Sequence, residues 1–157
     1  MNLLKQKPPK LILLLGLGAL IYLGYKMSIQ SINVRNNNPL NIRFNKNNKW
    51  NGQTGESFGF AVFESPEYGF RAAYKLISTY QTAYDLYSVK EIISRWAPDS
   101  ENDTQGYIDF ITEKLNKWEW TPVTRQEIAP LLYYMAQFEG AKDAFTIEQV
   151  NAGIGLA

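Results

Sequence analysis

The sequence has no cysteine and no histidine. Without cysteine there is no disulfide, no thiolate nucleophile and no thiolate-bound zinc. Without histidine there is no Ser–His–Asp arrangement and no imidazole to hold a metal or relay a proton near neutral pH. Acid–base chemistry therefore falls to Asp, Glu, Lys or Tyr, and neither a metal nor an organic cofactor is expected. Acids are missing from the first third of the chain: none precedes Glu56, although Lys5, Lys7, Lys10 and Lys26 do. Setting those four cations aside from the 16 Lys and Arg leaves 12 against 15 Asp and Glu. The remainder is net acidic and has no basic run, so nucleic acid is not an expected partner.

What is present is ample apolar and aromatic material, 45% and 14% of 157 residues, enough for one domain with an appendage. Leu11 to Tyr25 carries no charge and is bounded by Lys10 and Lys26. As a helix it would extend roughly 22 Å at ~1.5 Å per residue, and the flanking lysines can snorkel to close the gap to a ~30 Å hydrocarbon core. The segment predicts one transmembrane helix over about 11–25 and makes a lipid membrane an expected partner. A cleaved leader fits less well, because no small-x-small site follows Tyr25. The chain then divides into an anchor at 1–26, a linker at 27–34 and a domain at 35–157. The cationic flank Lys5–Lys10 places that domain on the side away from the cytoplasm-like compartment.

Within the domain, Asn41 to Phe63 alternates short apolar pieces with Asn and Gly and reads as a small β-hairpin lobe. Helix starts follow. Ser65-Pro66 opens one reaching about Asp85. Ser88 with Glu91 forms a capping box for a second that ends before Pro98. Asn102 or Asp103 begins a third, through Leu115. Thr124 with Glu127 begins a fourth running to Glu139, which Pro130 should kink or restart. Thr146 with Gln149 opens a short last helix. The expected class is α+β and mostly helical.

Several stretches together resemble a family of small phage and prophage proteins described as virion structural proteins or lytic transglycosylases. They are Arg35–Arg43 (RNNNPLNIR), Trp50–Gly52, Phe60–Glu67 (FAVFESPE) with Gly69 and Arg71, Arg95–Pro98 (RWAP), and Ser100–Thr104 (SENDT) with Tyr107. A more distant likeness is to cell-wall glucosaminidases and transglycosylases of the lysozyme superfamily. In those a catalytic Glu ends an apolar helix that precedes the Asn-rich segment and β-lobe. Here the matching helix, Leu131 to Gly140 (LLYYMAQFEG), comes last. The resemblance thus implies a lysozyme-like domain in circularly permuted order with Glu139 as the acid. The phage family typically places Glu-Asn-Gly at that point, whereas this chain has Glu-Gly-Ala.

Breaking a glycosidic bond requires a proton on the leaving oxygen, which a carboxyl with a raised pKa supplies. Glu139 follows Met135, Ala136 and Phe138, whose apolar bulk would desolvate it; otherwise it is an exposed acid near a helix end. Glu56 is the candidate second carboxylate, against the alternative of a solvated loop acid. Asn37, Asn38, Asn41 and Arg43 offer donors for N-acetyl and hydroxyl groups, although Asn near Pro39 also suits turns. The resemblance implies that Tyr107 stands beside the acid; as a helix residue it otherwise packs in the core. Trp50, with Trp96, Trp118 and Trp120, offers faces for sugar rings, or else anchors the core. Glu64 and Glu67 suit a helix start, and Glu101 and Asp103 suit turns or caps.

The resulting expectation is a membrane-anchored, virion-associated enzyme that cuts peptidoglycan glycan strands during phage entry. Its partners would be those strands, a membrane and other virion proteins. Its place would be the internal membrane of a virion, with the domain facing the cell wall once in a host membrane. The alternative is a non-enzymatic minor virion or membrane structural protein that retains a lysozyme-like fold. A host-lysis enzyme on a releasable signal-anchor is a third reading.

Overall fold

In the computed structural model, residues 30–100 and 103–157 are described, and Ser31–Ala157 forms one compact unit. Its elements follow the local signals closely. After a short helix α1 (Ile32–Arg35) come strands β1 (Gln53–Ser57) and β2 (Phe60–Phe63), then helices α2 (Pro66–Tyr84), α3 (Val89–Trp96) and α4 (Thr104–Leu115). A 3-10 turn (Arg125–Glu127) leads into α5 (Ile128–Ala136), which unwinds through a π-turn (Gln137–Ala141), and α6 (Ile147–Gly155) follows.

Each start has a physical cause. Pro66 occupies the first turn of α2, where its missing N–H has no intrahelical partner to lose. Ser88 with Glu91 closes a capping box on α3, Asp103 accepts from Gly106 N–H at the head of α4, and Thr146 with Gln149 closes a box on α6. The Thr124–Glu127 box is also present, but on the 3-10 turn. The α-helix restarts at Ile128, so Pro130 falls in its first turn and causes no kink.

Buried residues recur along one face of α2, at Phe70, Ala73, Ile77 and Gln81. Against that stripe pack Leu131, Leu132 and Met135 of α5 and Val150 of α6, with Ile92 and Ile93 of α3 and Ile108 and Ile111 of α4 completing the core. At Gly153 a side chain would meet Glu67 O at 2.5 Å and Phe70 Cβ at 2.7 Å, so α6 lies on α2 almost backbone to backbone. Phe145 meets Phe70 edge-on, 5.7 Å between centroids.

The hairpin pairs Ser57 with Phe60 and Glu56 with Ala61, antiparallel. Its two turn residues, Phe58 and Gly59, both have positive φ (52° and 83°), the combination that matches strand twist in a two-residue connection. Arg43 bridges to Phe60, and the chain from Asn41 to Gly52 folds over the sheet as turns rather than as a third strand.

Two expectations change. Ser31–Val34 is not linker: α1 lies in the compact unit, and Asn33 on it is buried. The expected transmembrane helix is corrected as well. No helix among the described residues is long and apolar enough to cross a membrane. The longest, α2, has 19 residues and is amphipathic, with Glu67, Arg71 and Lys75 on it. Residues 11–25, to which the span was assigned, lie outside the described residues, as does the membrane partner inferred from them. The mostly helical class with a small two-stranded sheet is as expected.

Candidate active site

Glu139 is carried on the π-turn that ends α5. Such one-turn widenings recur at functional sites, because they displace a side chain from the helical row. Gly140 follows with φ 93°, a left-handed conformation that suits glycine and ends the helix there. The carrier is secured from outside the helix: Asn33 Nδ2, on α1, donates to Glu139 O at 3.1 Å.

The carboxyl is half-buried and meets donors from three elements. Asn41 Nδ2 donates to Oε2 at 3.0 Å. Tyr107 Oη, from α4, lies 3.3 Å from Oε1. The Trp96 side chain, at the end of α3, is a third hydrogen-bond partner. Burial nevertheless dominates and pushes the Glu139 carboxyl above the ordinary glutamate range, with Asn41, Trp96 and Tyr107 each pulling back toward the ionised form. Tyr107 is itself fully buried. Burial first, then the neighbouring Glu139 charge, raises its hydroxyl well above the usual tyrosine value, so it remains a donor. That hydroxyl is also 3.3 Å from Met135 O. One proton thus has two acceptors, and it can serve the carboxylate when Glu139 is ionised or the carbonyl when Glu139 itself holds a proton. Phe138 stacks on Tyr107 at 3.9 Å and 17°, which walls this side of the acid.

Glu139 opens into a groove of about 400 Å³ lined also by Asn41, Arg43, Phe60, Tyr80 and Trp96. It is the one acid among the groove's described lining residues. A second groove of about 600 Å³ shares Ile42, Arg43 and Leu76 with the first and adds Phe44, Lys46 and Trp50.

Placed against this geometry, the predicted residues divide. Asn41, Tyr107 and Glu139 come together, with Arg43 on the same groove and Trp50 on the adjoining one. Asn38 does not: it is fully buried, its amide donates to Ile42 O and Ala61 O at 2.9 Å each, and its Oδ1 accepts from Ile42 N–H. Its side chain thus ties the turn at Ile42 to Ala61 of β2, where a buried amide must find partners. Asn37, at φ 48°, spends its amide on Phe63 O and Glu64 O. Glu56 is exposed and accepts from Gly59 N–H at 2.6 Å, so it closes the hairpin turn and is not among the residues lining the Glu139 groove. Trp118 and Trp120 are exposed and line neither groove. The sequence does not single out Asn33, and it offers Trp96 as a sugar-stacking face or a core anchor; Trp96 packs against the core and is also a hydrogen-bond partner of the acid. Phe138, read from the sequence as bulk beside the acid, stacks on Tyr107.

No protein-family model matches the chain. It is similar to Protein P5 of Pseudoalteromonas phage PM2, with 32% identity over 124 residues, covering 76% of this chain and 78% of the phage protein.

Proposed function

This chain belongs to the same family as Protein P5 of phage PM2, and from that premise we propose that it is a virion-associated enzyme that cleaves peptidoglycan glycan strands, as a lytic transglycosylase does, with Glu139 as acid and then as base. The observation that carries this reading is the half-buried Glu139 carboxyl, with its raised pKa, facing a groove among hydrogen-bond partners from three separate elements. A carboxyl raised in this way keeps its proton to higher pH than an ordinary glutamate and can deliver it to a glycosidic oxygen.

The reaction is then balanced without a second acid. Protonated Glu139 gives its proton to the bridging oxygen as the bond to the anomeric carbon breaks, and the alcohol leaves. The resulting carboxylate takes the proton of the sugar's own C6 hydroxyl, whose oxygen closes on the anomeric carbon to form an anhydro ring. No water is consumed, and Glu139 ends protonated as it began. Two-carboxylate chemistry would require a partner within roughly 5–10 Å, and Glu56 is occupied at the hairpin turn. Asn41 and Tyr107 hold the carboxylate in place between the two proton transfers.

The experiment is digestion of purified peptidoglycan in the presence of a chelator, with fragment ends identified by mass spectrometry. Anhydro-sugar ends that vanish in Glu139→Gln are expected. Degradation that survives Glu139→Gln, or none by the parent chain, would overturn the assignment. Detection of the chain in purified phage particles tests the virion placement.

A second reading, a non-enzymatic virion structural protein, is favoured by one feature. Trp118 and Trp120 are 69% and 46% exposed on the segment after α4, as residues awaiting a protein partner would be. Trp118→Ala should then impair particle assembly, whereas Glu139→Gln should not.

A further inference from the structure

The groove next to the acid differs in character from the groove that holds it. Its described lining includes two cations, Arg43 and Lys46, two further amides, Asn45 and Asn48, and no acid. Between Ser31 and Gly55 the chain carries Arg35, Arg43, Lys46 and Lys49 and no carboxylate, although the chain as a whole has 15 acids. Lys46 lies at the tip of a turn closed by Asn48 N–H on Asn45 O at 3.0 Å and by Asn47 N–H on Asn45 Oδ1 at 2.9 Å. It is exposed and enters no ion pair among the described residues. The rest of the lining is apolar: Ile42, Phe44, Leu76 and Trp50, the last packed against the core.

A neutral sugar has no use for such a concentration of positive charge. The strand proposed as substrate is not uniformly neutral, because alternate sugars bear short peptides that end in carboxylates. We infer that the Arg43–Lys46–Trp50 groove receives the peptide stem of the sugar next to the cleaved bond, with Lys46 on its carboxylates and Trp50 against its aliphatic part. The shared wall of Ile42, Arg43 and Leu76 sets the route: a strand lying at Glu139 turns its substituent into the basic groove without leaving the surface. Like-charge exclusion supplies selectivity as well, since the net acidic remainder of the domain repels the same carboxylates.

This inference rests on the glycan-cleaving reading, and the test separates the two. Glycan strands bearing stem peptides are compared with the same strands stripped by an amidase, and the KM for each is measured for the parent chain and for Lys46→Glu. A parent preference of about five-fold for stem-bearing strands is expected, the size that a few partly exposed charge contacts provide. In Lys46→Glu the ratio should fall to about one, and added salt should shrink it in the parent chain. Equal KM values in the parent, or a ratio that Lys46→Glu leaves in place, would overturn the inference while leaving cleavage itself intact. If neither strand is cut, a disaccharide–tetrapeptide fragment is titrated by NMR. Shifts of the Trp50 indole signal that disappear in Lys46→Glu would support the stem site although the enzymatic reading had failed. No shift would overturn the site too.

Discussion

Replacing Glu139 by Gln should leave the fold as stable as before at neutral pH, or more so, while removing any activity. The carboxyl is desolvated, and burial is the largest influence on its pKa. A group whose pKa is raised on folding lends the fold stability below its unfolded pKa, near 4.5, and that contribution is lost as pH rises through the folded value. Each pKa unit of elevation corresponds to ~1.4 kcal/mol. The amide keeps most of the contacts: its oxygen accepts from Asn41 Nδ2, and its NH2 donates to Tyr107 Oη, whose own proton turns to Met135 O. Residual hydrogen-bond loss is therefore within ~1 kcal/mol. Urea unfolding of parent and variant from pH 4 to pH 8 reads the difference. The variant's relative stability should rise with pH across that window. At neutral pH the expected gain is zero to about 1 kcal/mol, or roughly 3–5 °C in Tm for each kcal/mol in a domain of this size. A loss above about 2 kcal/mol at pH 7, or a difference that does not vary with pH, would refute the desolvated-acid argument.

Tyr107→Phe removes a donor that favours the ionised acid; the alkaline limb of the pH–rate profile should move to higher pH, with ~1 kcal/mol lost in denaturant unfolding. At Asn41, φ is 50°, so Asn41→Gly and Asn41→Ala should reduce activity alike, whereas thermal melts should show Ala less stable than Gly by about 1 kcal/mol. Lys117, at 2.7 Å, and the Thr124 N–H hold the Glu127 carboxyl down at about 2. Its stabilisation is present above about 4.5 and is lost as pH falls through about 2, so Glu127→Gln should cost ~1 kcal/mol at pH 7, screened by its partial exposure, and little near pH 2. A Cβ at Gly69 would lie 2.5 Å from Asn37 O and 2.6 Å from Pro39 Cδ. Gly69→Ala should therefore cost about 1–3 kcal/mol in chemical unfolding by displacing the Asn37–Asn41 turn.

Local rules carried far where the deciding atoms are close in sequence. The capping boxes at Ser88 and Thr146 involve atoms three residues apart, so the helix starts were legible before any tertiary contact was known. The asparagine run was harder. Asn33, Asn36, Asn37, Asn38 and Asn41 share one chemistry, and whether each amide faces backbone, core or groove depends on what β2 and the π-turn bring to it. From the sequence Asn38 suits a substrate donor and a turn residue alike, and it serves Ile42 and Ala61. The brief helix α1 escaped notice because four residues have no intrinsic helical stability; its fixed point is the contact of Asn33 with Glu139 O. For Glu56 the choice between second carboxylate and loop acid turns on a near partner, Gly59, three residues away in a turn whose type Phe58 conceals.

The bond from Asn33 to the backbone of Glu139 joins positions 106 apart, and that from Asn41 to its carboxyl joins positions 98 apart. A growing chain can make neither contact until Glu139 has been added. At about 5–20 residues per second, a ribosome adds Glu139 some 5–20 s after Asn33. Throughout that interval Asn33 and Asn41 lack the partner that Glu139 gives them in the complete chain. If Glu139 is the acid proposed above, a polypeptide interrupted before it lacks that acid, and the site is complete only when α1 and the π-turn meet.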